Sequence, residues 1–107
     1  MIFGSWIDAT ITYLTDDDLT PQVDLLRDWE LLQIVIPPLG ASANVSFEVA
    51  EKTGGTFQAL GSGSQVIAAA TGAISTVVRL GGWQFIKVKT SAAQTANRTF
   101  RVRGARS

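Results

Sequence analysis

Val45-Ser46-Phe47-Glu48-Val49-Ala50 alternates apolar with polar or small residues at every step, and Gly54-Gly55 follows shortly after. Successive side chains of an extended chain point to opposite faces, so this period of two puts Val45, Phe47 and Val49 on one side and Ser46 and Glu48 on the other. The stretch reads as a strand with one buried face, closed by a glycine turn. The same pattern recurs in both directions. Upstream, Ile11 and Tyr13 alternate with Thr10 and Thr12, and Val23 and Leu25 with Gln22 and Asp24. Downstream, Ile86 and Val88 alternate with Lys87 and Lys89, and Phe100 and Val102 with Arg101 and Arg103.

Other segments depart from strict alternation. Leu31 to Ile36 is nearly all apolar and stops at Pro37-Pro38, which predicts a central strand buried on both faces. Phe57 to Leu60 and Thr76 to Leu80 read as short strands, the second closed by Gly81-Gly82, and Gly61-Ser62-Gly63-Ser64 reads as a flexible loop. Between Val66 and Ile74, Ala68-Ala69-Ala70 favours helix but Thr71-Gly72 breaks it, and β-branched residues flank both ends, so the segment is read as strand, loop, strand. About eight short strands with frequent turn signals predict an all-β fold, a single-domain antiparallel β-sandwich of jelly-roll type rather than a barrel around a ligand cavity. Residues 9–107 supply that domain. Residues 1–8 are open to two readings, an N-terminal arm that docks on a neighbour or a first strand packed at home.

Composition narrows the chemistry. At 107 residues the chain fits one domain that buries roughly two-thirds of its unfolded surface. Cysteine and histidine are both absent, which removes disulfides, the usual zinc and iron–sulfur ligand sets, and the commonest general base. Met1-Ile2-Phe3-Gly4 has no basic n-region, and no run approaches the ~20 apolar residues of a membrane span, so neither a secretion signal nor a membrane partner is expected.

The formal net charge of zero conceals a polarised sequence. Residues 1–51 hold all nine carboxylates against Arg27 alone, a net charge of −8, whereas residues 52–107 hold eight cations and no anion. In a small domain such a split predicts that the two halves pair with each other, or that neighbouring copies meet through patches of opposite sign. Lys87, Lys89, Arg101 and Arg103 are expected together on the outward face of two adjacent strands. A single-stranded nucleic acid would need aromatic platforms between those charges, yet Phe100 alternates inward, so the readings that stand are a contact between subunits and an ordinary solvated strand face.

Asp16-Asp17-Asp18 is the only carboxylate cluster. Adjacent residues on an extended chain diverge and no glycine bends this one, so it reads as a solvated turn before Thr20-Pro21 rather than a calcium loop. No spacing singles out a catalytic pair among the carboxylates, and Gly61-Ser62-Gly63-Ser64 lacks the lysine of a phosphate loop. No catalytic residue, cofactor or metal is expected. Trp29 and Trp83 abut strand starts and read as core, and Trp6 as an interface residue.

The order of segments carries a resemblance. An early strand and polar turn lead to Gln22-Val23-Asp24-Leu25, then to the 29–37 segment Trp-Glu-Leu-Leu-Gln-Ile-Val-Ile-Pro, to Asn44 through Ala50, and to Gly-Gly-Thr-Phe-Gln-Ala-Leu at 54–60. The chain closes on Trp83-Gln84-Phe85-Ile86-Lys87-Val88-Lys89-Thr90 and Asn97-Arg98-Thr99-Phe100-Arg101-Val102. From residue 9 onward this resembles small β-sandwich virion proteins of tailed bacteriophages, which serve as capsid decoration or cement proteins and as head-fibre or tail-associated modules. The resemblance implies a structural, non-enzymatic protein made in the host bacterial cytoplasm and resident in the virion. It also implies a homo-oligomer, a trimer in many such proteins, that binds the major capsid protein or another virion protein. Many weak contacts on a symmetric shell then add up by multivalency. The residues expected at contacts are Ile2, Phe3 and Trp6 of the arm, Asp16, Asp17 and Asp18 of the acidic turn, and Lys87, Lys89, Arg101 and Arg103. A carbohydrate-binding or adhesion module of a tail or head fibre is the alternative.

Overall fold

The computed structural model of the chain describes residues 2–61 and 66–106. Most of the loop expected at Gly61-Ser62-Gly63-Ser64 lies outside them. Six strands, β1 (Ile2–Phe3), β2 (Ile7–Ile11), β3 (Val23–Ala50), β4 (Gln58–Ala59), β5 (Ile67–Thr90) and β6 (Arg98–Arg106), join in one antiparallel sheet, with no helix among the described residues. The order runs β1-β6-β3-β4, with β2 also on β6 and β5 also on β3. A radius of gyration of 12.6 Å matches the ~13 Å of a single folded domain of this length.

Two strands are far longer than the alternation predicts, because the chain changes direction at corners inside them and resumes strand pairing on the far side of each. β3 and β5 meet in two registers. In one, Val23 faces Ile86, Leu31 to Ile36 face Arg79 to Ile74, and Val45 faces Ile67; in the other, Val45 to Ala50 face Thr90 to Phe85. Residues 85–90 therefore lie between 45–50 and 23–24, an arrangement extended by a bridge from Leu19 to Lys89 and a hydrogen bond from the Thr20 amide to the Val88 carbonyl. Residues 31–35 in turn lie between β5 and the 101–105 segment of β6. The corners carry left-handed backbone: Leu26 (φ 73°), Ala70 (φ 48°), Gly72 (φ 80°), Ala73 (φ 59°), Gly81 (φ 79°) and Gly82 (φ 96°). At Gly72 a side chain would strike the Pro37 carbonyl.

Leu31 to Ile36 is central but has only one buried face. Leu32, Ile34 and Ile36 are fully buried, Leu31 and Gln33 half-buried and Val35 exposed, because nothing among the described residues covers the other side. Nor does the strand stop at Pro37-Pro38. The last residue of β3 paired with β6 here is Val35, so a proline beyond it lacks no ladder donor on that side. The core collects Ile11, Leu32, Ile34, Val45, Phe47, Ile86, Val88, Phe100 and Val102 from β2, β3, β5 and β6, all at 2% exposure or less.

Leu26 is 74% exposed at its corner, and its amide donates to Asp24 Oδ1 at 2.8 Å. A non-glycine residue in left-handed geometry costs roughly 1–2 kcal/mol. Leu26→Gly removes that cost and loses little packing, so it is expected to raise stability by about 0.5–1 kcal/mol, measured by urea unfolding. A decrease would show that the leucine side chain is held by the fold.

Candidate functional site

Alternation along β6 sends Phe100 and Val102 into the core and leaves Arg101 and Arg103 outside. Directly opposed residues of an antiparallel pair share a face. Arg101 therefore stands in a row with Asp8 on β2, Val35 on β3 and Ser75 on β5, and Arg103 in a row with Gln33 and Val77. The next row holds Phe3, Ala105, Leu31 and Arg79.

The N-terminal segment completes this face. Ile2 and Phe3 pair with Arg106 and Ala105, and the Gly4 amide donates to the Gly104 carbonyl at 2.9 Å. The Arg103 guanidinium lies 4.1 Å from the Phe3 ring centroid and 4.5 Å from that of Trp6, and Arg101 lies 5.3 Å from Trp6. Arg103 Nε donates to Gln33 Oε1 at 2.6 Å, while Arg101 Nε lies 3.6 Å from Asp8 Oδ1. Stacking of this kind contributes about 0.5–1 kcal/mol per exposed pair, and the exposed ion pair adds little. Their consequence is order: two long cationic side chains are held over aromatic rings, with Phe3 46% exposed and Val77 51% exposed beside them.

Phe3, Trp6, Arg101 and Arg103 are thus brought together, whereas Ile2, opposite Arg106, alternates to the other side of the strand. Lys87 and Lys89 are not part of that group. β5 pairs with β3 and β6 does not pair with β5, so the expected adjacency of the lysine and arginine pairs is corrected. Lys89 faces Ser46 and reaches Glu48 Oε2 at 4.0 Å, and Lys87 faces Glu48 and lies 4.6 Å from the Phe57 ring centroid. Asp8 with Arg101 and Glu48 with Lys89 are pairs between the acidic and basic halves within one chain.

The acidic turn is held by one side chain and by backbone. Asp17 Oδ1 accepts from the Leu14 amide at 2.6 Å, and the carbonyls of Asp17 and Asp18 accept from the amides of Gln94 and Thr90. Among the described residues no group of three or more carboxylates could share a cation.

No protein-family model matches this chain, and no curated protein matches it.

Sequence reasoning missed Gln94, which is 1% exposed. Its Oε1 accepts from the Gly40 amide at 3.1 Å, its Nε2 donates to the carbonyls of Ala92 (3.1 Å) and Ala41 (3.3 Å), and its own amide reaches Asp17. The side chain thereby ties the Gly40–Ala41 stretch of β3 to the loop at Ala92, and the backbone amide adds the acidic turn. Two clefts are lined by described residues. One of about 400 Å³ is lined by Glu51, Lys52, Gln58, Leu60 and Trp83; a more open one of about 470 Å³ is lined by Asp28, Trp29, Glu30, Arg79 and Arg106.

Proposed function

We propose that this chain is a structural virion protein of a tailed bacteriophage, a capsid decoration or cement protein that associates with its own copies and with the head shell. The fold we infer for it is an eight-stranded jelly-roll sandwich. In this reading β3 and β5 each count as several strands, split at their corners. One layer takes residues 2–11, 98–106, 31–38 and 72–79 in that order; the other takes 19–24, 85–90, 45–50 and 58–59. The double register of β3 against β5 supports the division, and jelly rolls recur in viral capsid and lectin domains. Fold alone does not assign a role.

The observation that carries the role is the face of Phe3, Trp6, Arg101 and Arg103. Small-molecule sites are recessed and largely apolar, whereas this face is open, combines exposed Phe3 and Arg101 with half-buried Trp6 and Arg103, and holds them in place. That composition suits the centre of a protein–protein contact, where aromatics and arginine are enriched. No catalytic step belongs to the proposal. The protein is made in the host bacterial cytoplasm and resides in the virion, with the major capsid protein as its partner.

The test is the copy number in purified particles of the virus that encodes it, by quantitative mass spectrometry against the major capsid protein. Near-stoichiometric abundance is expected. A few copies per particle would place it in a tail, neck or fibre, and absence would overturn the virion role.

A second reading, a carbohydrate-binding module of a tail or head fibre, rests on the 400 Å³ cleft, where half-buried Trp83 stands beside Glu51, Lys52 and Gln58. An aromatic face with polar neighbours suits a sugar ring. Retention on host polysaccharide that is lost in Trp83→Ala would favour it over decoration.

A further inference from the structure

A sheet edge that exposes unpaired backbone groups is a template for another strand, and soluble proteins guard such edges with charge, proline, bulges or brevity. Most edges here are guarded. β4 has two residues; β2 has five and carries Asp8; the edge at Val23 is preceded by Pro21, carries Asp24 and ends at the Leu26 corner. The edge of β5 is different. Ile74-Ser75-Thr76-Val77-Val78-Arg79 pairs with β3 on one side, and among the described residues no strand lies on the other. The run has no proline, and Arg79 is the first charged residue after Lys52. Ile74 is 40% and Val77 51% exposed.

We propose that this edge is an interaction surface for a second copy of the same chain, which adds its own 74–80 segment antiparallel about a two-fold axis through Val77. The inference rests on the assembly reading above and names the surface that does the assembling. Strand addition of this kind derives affinity from main-chain hydrogen bonds and specificity from alternate side chains. Three features select a second copy. Left-handed backbone at Ala73 (φ 59°) and Gly81 (φ 79°) brackets the regular stretch, and its midpoint is Val77, so pairing about that residue uses the whole edge.

A two-fold perpendicular to the sheet keeps outward side chains outward, and this register sets Val77 against Val77 and Arg79 against Ser75. No like charges then face each other, and β-branched residues meet at the centre, which is the favourable cross-strand combination. The pairing also continues the rows already described. Arg103, Gln33 and Val77 of one copy meet Val77, Gln33 and Arg103 of the other, so two aromatic–arginine faces become one continuous surface. An isologous contact of this kind closes at two copies and leaves no edge to propagate.

Cysteine is absent from the chain, which makes thiol cross-linking a direct readout. Opposed Cα atoms in an antiparallel pair lie about 4.5–5.5 Å apart, within the ~4.4–6.8 Å that a disulfide spans. Val77→Cys on the axis is expected to form a disulfide dimer under mild oxidation. It should do so at least roughly tenfold faster than Leu14→Cys, an exposed site off the edge, because the paired thiols react at high effective concentration. Ser75→Cys faces Arg79 and is expected to cross-link no faster than Leu14→Cys, while the double variant Ser75→Cys/Arg79→Cys cross-links readily. The unsubstituted chain is expected to sediment as a dimer, not as the trimer that the resemblance implies.

Equal rates for Val77→Cys and Leu14→Cys, or rapid cross-linking of Ser75→Cys alone, would overturn the edge contact or its register. If the chain forms oligomers while Val77→Cys stays reduced, the edge is wrong and the assembly role stands. If Val77→Cys is protected only when shell protein is added, the occupant is a strand of that protein and the second copy is excluded. A monomer at all concentrations that is also absent from particles removes both readings.

Discussion

Gly104→Ala is expected to destabilise the fold by about 3–4 kcal/mol, near the upper end of what an added methyl does in a packed interior. A Cβ on Gly104 would fall within the indole of Trp29, against Cγ, Cδ1 and Cδ2. The ring cannot retreat. It is 4% exposed, its Nε1 donates to the Leu25 carbonyl at 3.0 Å, and its far edge lies so near Gly4 that a Cβ there would stand 2.9 Å from Cζ2. Alanine at 104 therefore forces the indole off its hydrogen bond, worth about 1 kcal/mol, as well as out of its packing. Domains of this size lose roughly 4–8 °C per kcal/mol, so the thermal midpoint should fall by roughly 15–25 °C. Gly54→Ala is the control. Nothing lies within 4 Å of a Cβ there, and its φ of +64° predicts a loss of only about 1 kcal/mol. Equal midpoints for the two variants would show that Trp29 does not lie over Gly104.

The same tryptophan shows what could be read in advance. Its burial followed from its place at the start of an apolar run, but the glycine it lies on is some seventy-five residues further along, and no local pattern links them. Alternation at 45–50, 86–89 and 100–103 was legible because period two depends only on neighbours in sequence. Strand limits were not. Gly72, Gly81 and Gly82 signal corners, whereas Leu26, Ala70 and Ala73 adopt left-handed backbone without being turn-forming residues. Register was equally hidden, and it is register that sets Lys87 and Lys89 against Glu48 and Ser46 while Arg101 and Arg103 join Phe3 and Trp6. The arginine rows were visible as a period; their aromatic partners depend on β1 and β2 pairing with a strand from the opposite end of the chain. Charge polarity was legible in full, and two of its pairs close within the molecule.

Gln94 had no such signal, since an isolated amide between Ala93 and Thr95 in a polar stretch reads as loop. Its substitution should nonetheless have one of the largest effects in the chain. Gln94→Glu keeps size and shape and preserves the acceptor for the Gly40 amide, but removes the donor that satisfies the carbonyls of Ala92 and Ala41. At neutral pH it would bury a carboxylate against those two oxygens, with an expected loss of about 4 kcal/mol. The sign with pH is fixed by linkage. Burial favours the neutral acid, so the introduced carboxyl has a higher pKa in the folded chain than its value of about 4.3 in the unfolded one. The folded variant then binds more protons than the unfolded, and stability falls as pH rises from that lower value toward the folded one. Below it the acid is protonated in both states and can donate to one of the two carbonyls. The difference from the unsubstituted protein should thus shrink to about 1 kcal/mol at acid pH and widen as pH rises. Urea unfolding of both proteins at acid and neutral pH reads this directly. A pH-independent difference would mean that the side chain at 94 is solvated and does not tie Gly40–Ala41 to the loop at Ala92.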